Sequence, residues 1–284
     1  MARVAVILPV HNEAWLIGSV LGQVTDFARS HPDWRFLFVD DGSSDETPRL
    51  IREHLDRDGM NARIELLALD PNRGKAGAVR TAVLQAEEPV VLFTDGDLAY
   101  SLDHLLELEK ALGDTDVAIG SRALATGPQT NITLERRLFG AGFNLLARTI
   151  TGLPYRDTQA GLKGFRREAA RLLFTHQRID DFAFDAELLF LARRYGLSVS
   201  EIPANVSARH SYKKSRVNML RDPLRMLASL VRMRLMHRGT TAPPEAIRLL
   251  EEKKRAERLN RTLVEPKPKP GGVRAPAPER VGRE

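Results

Sequence analysis

The chain of 284 residues contains no cysteine, which excludes a disulfide scaffold, a thiolate nucleophile and any Cys-ligated zinc or iron–sulfur centre. Aromatic residues make up only 6%, and Tyr212 alone interleaves with the arginines of the later chain. No stacking platform for single-stranded nucleic acid is therefore visible. No stretch reaches the roughly 18 uncharged apolar residues of a membrane-spanning helix. The opening MARVAVILPV is too short for a signal peptide and lacks a small-residue cleavage site, so it reads as a first strand and the expected location is cytoplasmic. The seven histidines show no metal-ligand spacing. The phosphate-binding glycine fingerprint of dinucleotide folds is missing too: Pro9-Val10-His11-Asn12-Glu13 occupies the first strand–helix turn, which counts against an NAD enzyme.

What is present is an alternation of short apolar runs and helical patterns. Strands are expected over Val4–Leu8, Phe36–Val39, Ile64–Ala68, Val90–Thr94 and Val117–Gly120. Helices are expected over Trp15–Phe27, Thr47–Leu55, Ala76–Leu84 and Leu102–Leu112, with two more around Leu138–Ile150 and Asp185–Tyr195. Such alternation predicts an α/β fold with a mostly parallel central sheet, whose ligands gather at the carboxyl ends of the strands. Those ends read PVHNE, VDDGSSD, DPNRGK, TDGD and GSR, all of them polar.

Charge is unevenly spread behind a net value of +6. Residues 1–204 carry 23 basic and 29 acidic side chains, residues 205–242 nine and one, residues 243–284 eleven and seven. Within the basic part, Leu220, Leu224, Leu227, Val231 and Leu235 recur at helical spacing, and Met219, Met226, Met233 and Met236 broaden that face. A basic amphipathic helix reads as an anchor on an anionic membrane surface; the competing reading is a helix packed on the core with its arginines solvated. A charged helical stretch then runs from Pro243 to Leu263, and the Pro/Gly-rich tail beyond Val264 cannot bury enough apolar surface to order itself.

Three constellations carry chemistry. Asp95 and Asp97 flank Gly96 after a buried strand, a costly pair without a cation to neutralise it. A hard divalent ion, Mg²⁺ or Mn²⁺, would bridge them to a diphosphate, and Gly96 would let a ligand approach the backbone. The same tripeptide also suits an ordinary turn. Asp40 and Asp41 close the second strand, where a carboxylate can accept from a base or a ribose, while Ser44 or Asp45 can cap the next helix. Gly74 and Lys75, in Asn72-Arg73-Gly74-Lys75-Ala76-Gly77, resemble an anion cradle at a helix start, or equally a Gly-rich turn with a solvated lysine.

Taken in order, PVHNE, VDDGSSDET, NRGKAGAVRTA, FTDGDLAYS and GSR resemble a family 2 glycosyltransferase of the GT-A fold. The segments DTQAGLKGF (157–165), FDAE (184–187) and EIP (201–203) narrow the resemblance to the dolichyl-phosphate β-glucosyltransferase and polyprenyl-phosphate hexose synthase group. The resemblance implies a nucleotide-sugar pocket lined by Pro9, His11, Asn12, Glu13, Asp40, Asp41, Gly74, Lys75, Asp95, Gly96 and Asp97. Asp95 and Asp97 match the metal-binding pair. Arg122, Arg136, Arg137, Arg209, Lys213, Lys214 and Arg216 are the expected contacts to an acceptor phosphate, and Asp97, Arg122, Asp157, Gln159 and Asp185 the expected catalytic set. Asp185 stands where relatives with hydroxyl acceptors carry a catalytic carboxylate, although Asp181, Asp185 and Glu187 also fit a helix start. Ala99 stands where mannose synthases of the group often have Gln, which fits the glucosyl branch.

The expected organisation is a GT-A domain over residues 1–216, basic and charged helices for membrane-surface docking over 217–263, and a disordered tail over 264–284. The implied reaction is inverting transfer of a hexose, glucose favoured, from a nucleotide sugar such as UDP-glucose to a polyprenyl phosphate. The enzyme would sit peripherally on the cytoplasmic face of a membrane and bind no nucleic acid. The alternatives are a family 2 enzyme with a soluble or glycan acceptor, and a module binding anionic surfaces or nucleic acid through residues 205–284. The sequence leaves the oligomeric state unknown.

Overall fold

A computed structural model of the chain describes residues 3–59, 62–125, 134–181, 183–206 and 221–264. Strands β1 (Val4–Val10), β2 (Trp34–Asp40), β3 (Ile64–Ala68), β4 (Val90–Thr94) and β5 (Val117–Ser121) coincide with the five expected runs to within three residues at any end. Between them lie helices α1 (Ile17–Ser30), α2 (Thr47–Asp58), α3 (Gly74–Gln85) and α4 (Asp103–Ala111). After β5 come α5 (Leu134–Thr151), β6 (Leu162–Arg166), α6 (Arg167–His176), α7 (Phe184–Arg194) and β7 (Val199–Pro203). The last two helices are α8 (Arg221–Met236) and α9 (Pro244–Val264).

The seven strands form one sheet in the order β3-β2-β1-β4-β6-β5-β7. All pair in parallel except β6, which inserts antiparallel between β4 and β5. Strand periodicity divides the core between the two faces. Ala5 and Ile7 of β1 join the cluster containing α3, α6 and α7, whereas Val4, Val6 and Leu8 join that of α1, α2 and α4. Strands covered on both faces need apolar residues on both parities, which is why these runs are continuous rather than alternating.

Helix α8 corrects the sequence-based face. Its fully buried residues are Leu230 and Met233, with Leu227 and Met236 packed beside them. Val231 and Leu235 of the expected apolar face are instead 44% and 63% exposed. The expected face is thus divided: Leu227, Met233 and Met236 pack inward, Val231 and Leu235 face outward, and the side chains of Leu220 and Leu224 lie outside the described set. Helix α9 is held by Lys253, whose Nζ lies 2.9 Å from Asp116 Oδ2 at the start of β5. No helix among the described residues is long and apolar enough to cross a membrane.

Candidate functional site

The carboxyl ends of β1, β2, β4 and β5 bring the expected residues into one region. The first loop is built as a joint. Asn12, at φ +53°, accepts the amides of Ser44 (2.9 Å) and Asp45 (3.2 Å) on its Oδ1 and donates its own amide to Ser43 Oγ. Glu13 donates its amide to Thr47 Oγ1 at 2.9 Å, and a His11 ring nitrogen lies 2.9 Å from the Asp41 carbonyl. Asp45 Oδ1 accepts the first amide of α2, from Thr47, so of the two expected caps Asp45 serves and Ser44 does not. Asp41 Oδ1 takes the Arg73 amide at 2.7 Å, which fixes the turn before Gly74 and α3. Asp40 differs from these: Oδ2 accepts the Ser43 amide at 3.2 Å, while Oδ1 is buried with no hydrogen-bond partner. A buried carboxylate oxygen left open is an acceptor waiting for a donor.

The acidic pair follows β4. Gly96 is required by close backbone packing, a role beside the ligand approach expected of it. A Cβ there would lie 2.2 Å from the Pro9 carbonyl oxygen, so the glycine lets the end of β1 press against the turn. Leu98 at φ +50° completes the tight reversal, and the Ala99 amide donates to Asp97 Oδ1 at 3.2 Å. Asp95 is held from two sides. Its carboxylate fills the space where a Cβ on Gly161 would sit, at 2.3 Å, and Lys75 Nζ donates to its Oδ1 at 2.5 Å.

Behind Lys75 lies a buried ion pair that the sequence reading did not single out. Lys163, on β6, is fully enclosed and donates to Asp185 Oδ1 at 2.6 Å and to the Ala160 carbonyl at 2.5 Å. Charges therefore alternate through Asp95, Lys75, Asp185 and Lys163. Burial opposes the Lys75 charge, but Asp95 and Asp185 outweigh it and raise its pKa above the ordinary lysine value. Burial pushes Lys163 down and Asp185 up, and each limits the other's shift by attraction. No local pattern marked Lys163: Leu162–Arg166 carries a glycine and two cations, and its burial follows from antiparallel pairing between β4 and β5.

Arg122 forms a fork with Asp157. Nε and Nη2 donate to Asp157 Oδ2 and Oδ1 at 2.6 and 2.9 Å, and the Arg122 amide adds a third bond. Burial disfavours both ions, yet the pairing prevails, holding Asp157 below the usual carboxylate range and Arg122 above its ordinary value. Asp157 also accepts the Gln159 amide at 3.1 Å, leaving it fully engaged, whereas Gln159 Nε2 is enclosed without an acceptor. Tyr100, a second residue the sequence reading missed, is buried beside this group; burial raises its hydroxyl pKa, with Arg122, Asp157, Asp95 and Lys75 all acting on it.

Glu187 is placed elsewhere. It is completely buried, accepts the amides of Arg178 and Ile179 at 2.9 Å, and meets His237 Nε2 at 2.7 Å, so it joins α7 to the end of α8. Arg136 and Arg137 fall in the first turn of α5, where side chains are outside the described set; Arg209, Lys213, Lys214 and Arg216 lie outside the described residues.

No cluster of three or more His, Cys, Asp or Glu that could cage a metal exists among the described residues. Asp95 and Asp97 supply two hard carboxylates. That suits Mg²⁺ or Mn²⁺, ions that take few protein ligands and complete their shell with phosphate oxygens and water.

A doubly covered, mostly parallel sheet thus presents an acidic pair and two fixed cations, Lys75 and Arg122, at its carboxyl edge. The glycosyl transferase family 2 model matches residues 5–174, and the chain belongs to that family. It is 33% identical over 211 residues to a dolichyl-phosphate beta-glucosyltransferase of Trichomonas vaginalis, covering 69% of this chain and 61% of that protein. With the protein of the same name from Dictyostelium discoideum it shares 28% identity over 246 residues, covering 82% and 74% respectively. The chain thus spans about three fifths of the first relative and three quarters of the second. Glucosyl-3-phosphoglycerate synthase of Mycobacterium tuberculosis, solved with Mn²⁺, UDP and phosphoglyceric acid, superimposes with a TM-score of 0.58 at 18% identity, covering 84% of this chain and 79% of that one. The fold is the GT-A type that the sequence motifs imply.

Proposed function

We propose that the chain is an inverting hexosyltransferase that moves glucose from UDP-glucose to a polyprenyl (dolichyl-like) phosphate at the cytoplasmic face of a membrane. The observation carrying this reading is the paired arrangement at the sheet edge: an acidic doublet for a metal–diphosphate, with Lys75 and Arg122 locked beside it by carboxylates. The dolichyl-phosphate relatives support the acceptor.

Asp40 Oδ1, the open buried acceptor, receives a base N–H. Asp95 and Asp97 would hold Mg²⁺ or Mn²⁺, and such an ion would supply positive charge against the departing diphosphate. Lys75 adds a second positive charge there, and Lys163 keeps Asp185 ionised and oriented towards the sugar hydroxyls. Asp157 acts as a positioning residue, holding the Arg122 fork towards a phosphate. Arg136, Arg137, Arg209, Lys213, Lys214 and Arg216 complete the acceptor's cationic surroundings.

The acceptor phosphate, with a second pKa of about 6, is anionic at neutral pH and needs little help from a base. One of its oxygens attacks the anomeric carbon, a new C–O bond forms, and the bond to the UDP oxygen breaks with its electron pair. In-line attack turns an α-linked donor into a β-linked product. A donor screen with UDP-glucose, UDP-galactose, UDP-N-acetylglucosamine and GDP-mannose against a polyprenyl phosphate tests this. UDP-glucose should give an organic-soluble β-glucosyl phosphate; an α product, or label confined to the aqueous phase with every donor, contradicts it.

A further inference from the structure

Three acid-free stretches of the chain converge at the far end of α7. Residues 136–156, 188–200 and 223–244 contain ten arginines and no Asp, Glu or Lys, although residues 1–204 are net acidic. They contribute the C-terminal ends of α5, α7 and α8, which enclose an open groove of about 790 Å³. Arg193, Arg194, Arg234 and Arg238 line it, with Val231 and Leu235 between them. All four arginines are exposed.

Part of this is helix capping. Arg193 donates to the Gly152 carbonyl, Arg234 to that of Ile150 at 2.6 Å, and Arg194 to those of His237 (3.2 Å) and Arg238 (3.0 Å). Cations at helix C-termini are favourable by themselves. Capping uses only one or two of the five N–H donors of Arg193, Arg194 and Arg234. Nor does it explain why no carboxylate lies among the groove's lining residues. The surroundings are apolar as well as cationic: Leu145 and Leu146, on α5, which packs against α8, are 65% and 45% exposed. Guanidinium forks alternating with exposed aliphatic side chains match a phosphodiester above acyl chains.

We infer that this groove between α5, α7 and α8 binds the phosphodiester headgroup of an anionic phospholipid, docking the outer strip of α8 on the bilayer. The inference deepens the membrane reading of the proposed function. It moves the contact from the whole basic segment 205–242 to a surface on which α5 and α7 share. Helix α7 carries Asp185 in its first turn, in the candidate site, and ends at Arg193 and Arg194, so the groove lies about 13 Å along it from the site. Docking there keeps the site close to lipid-borne acceptors.

Co-sedimentation of the full chain with vesicles of phosphatidylcholine, alone or mixed with phosphatidylglycerol, tests the assignment. Partition should rise with phosphatidylglycerol and fall about tenfold or more in Arg193→Gln/Arg238→Gln. The exposed substitution Leu235→Glu, which leaves the fold intact, should lower it likewise. Transfer to a short-chain polyprenyl phosphate in detergent should stay at the wild-type rate in all variants. Equal partition on both vesicle types, unchanged partition of the variants, or duplex DNA binding that the same variants abolish would overturn the groove assignment. Loss of transfer in the wild type with lipid-dependent partition intact would instead overturn the reaction and leave the groove standing.

Discussion

Lys75 and Lys163 show how one site uses a lysine in two ways. Lys163 has no access to solvent, so its charge exists only through Asp185. Removing one partner of a buried pair strands the other charge, and Lys163→Met should cost about 3 kcal/mol in urea unfolding. Lys163→Met/Asp185→Leu should recover most of that loss while transfer stays low; a double variant no more stable than the single one contradicts the pairing. Lys75 sits on Asp95 Oδ1, one of the two carboxylates assigned to the metal, and is partly exposed. On the proposed reading it would compete with a divalent ion until a diphosphate drew it away. Lys75→Met should bind Mn²⁺ alone several-fold more tightly by calorimetry, yet transfer poorly. The sequence displayed Asp95, Asp97 and Lys75, because strand-end carboxylates and a lysine at a helix start are local patterns. It could not display the Lys75–Asp95 contact, which depends on α3 and β4 meeting across the sheet edge.

The elements found from the sequence are those whose periodicity is local. Strands β1 to β5 and helices α1 to α4 were legible as continuous apolar runs and 3.6-residue patterns. β6 and β7 were not singled out. Leu162–Arg166 contains a glycine and two cations in five residues, and it pairs antiparallel with residues 44 to 76 positions away. Helix α8 was found, but spacing could not decide which of its apolar residues face inward. Helix α9, packed on the core through Ala246 and Leu249, is also tied down by one buried carboxylate. Asp116 accepts from Ser198 and Lys253, and although burial alone would raise its pKa these bonds hold it below the ordinary value. The unfolded carboxyl takes up a proton first as pH falls. The contribution of Asp116 is therefore complete above about pH 4 and disappears as pH drops through its lower folded-state value. Lys253→Met should cost about 1 kcal/mol at neutral pH and progressively less below pH 4. A pH-independent difference in thermal unfolding would contradict that coupling.

Across the whole molecule, charge is partitioned along the chain rather than evenly spread. The net of +6 conceals residues 1–204 at 23 basic against 29 acidic, followed by a strongly basic segment. The structure refines this division, since the acid-free end of α7 lies inside the acidic part of the chain and shares the outer face of α8. The central claim is that Asp95 and Asp97 serve metal-assisted transfer of glucose to a lipid phosphate. It is tested most directly by incubating radiolabelled UDP-glucose, polyprenyl phosphate and Mn²⁺ with wild type and Asp97→Ala, then counting the organic phase. The account predicts label in the organic phase with wild type and none with the folded variant. Undiminished transfer by Asp97→Ala, or wild-type label that never leaves the aqueous phase, would contradict it.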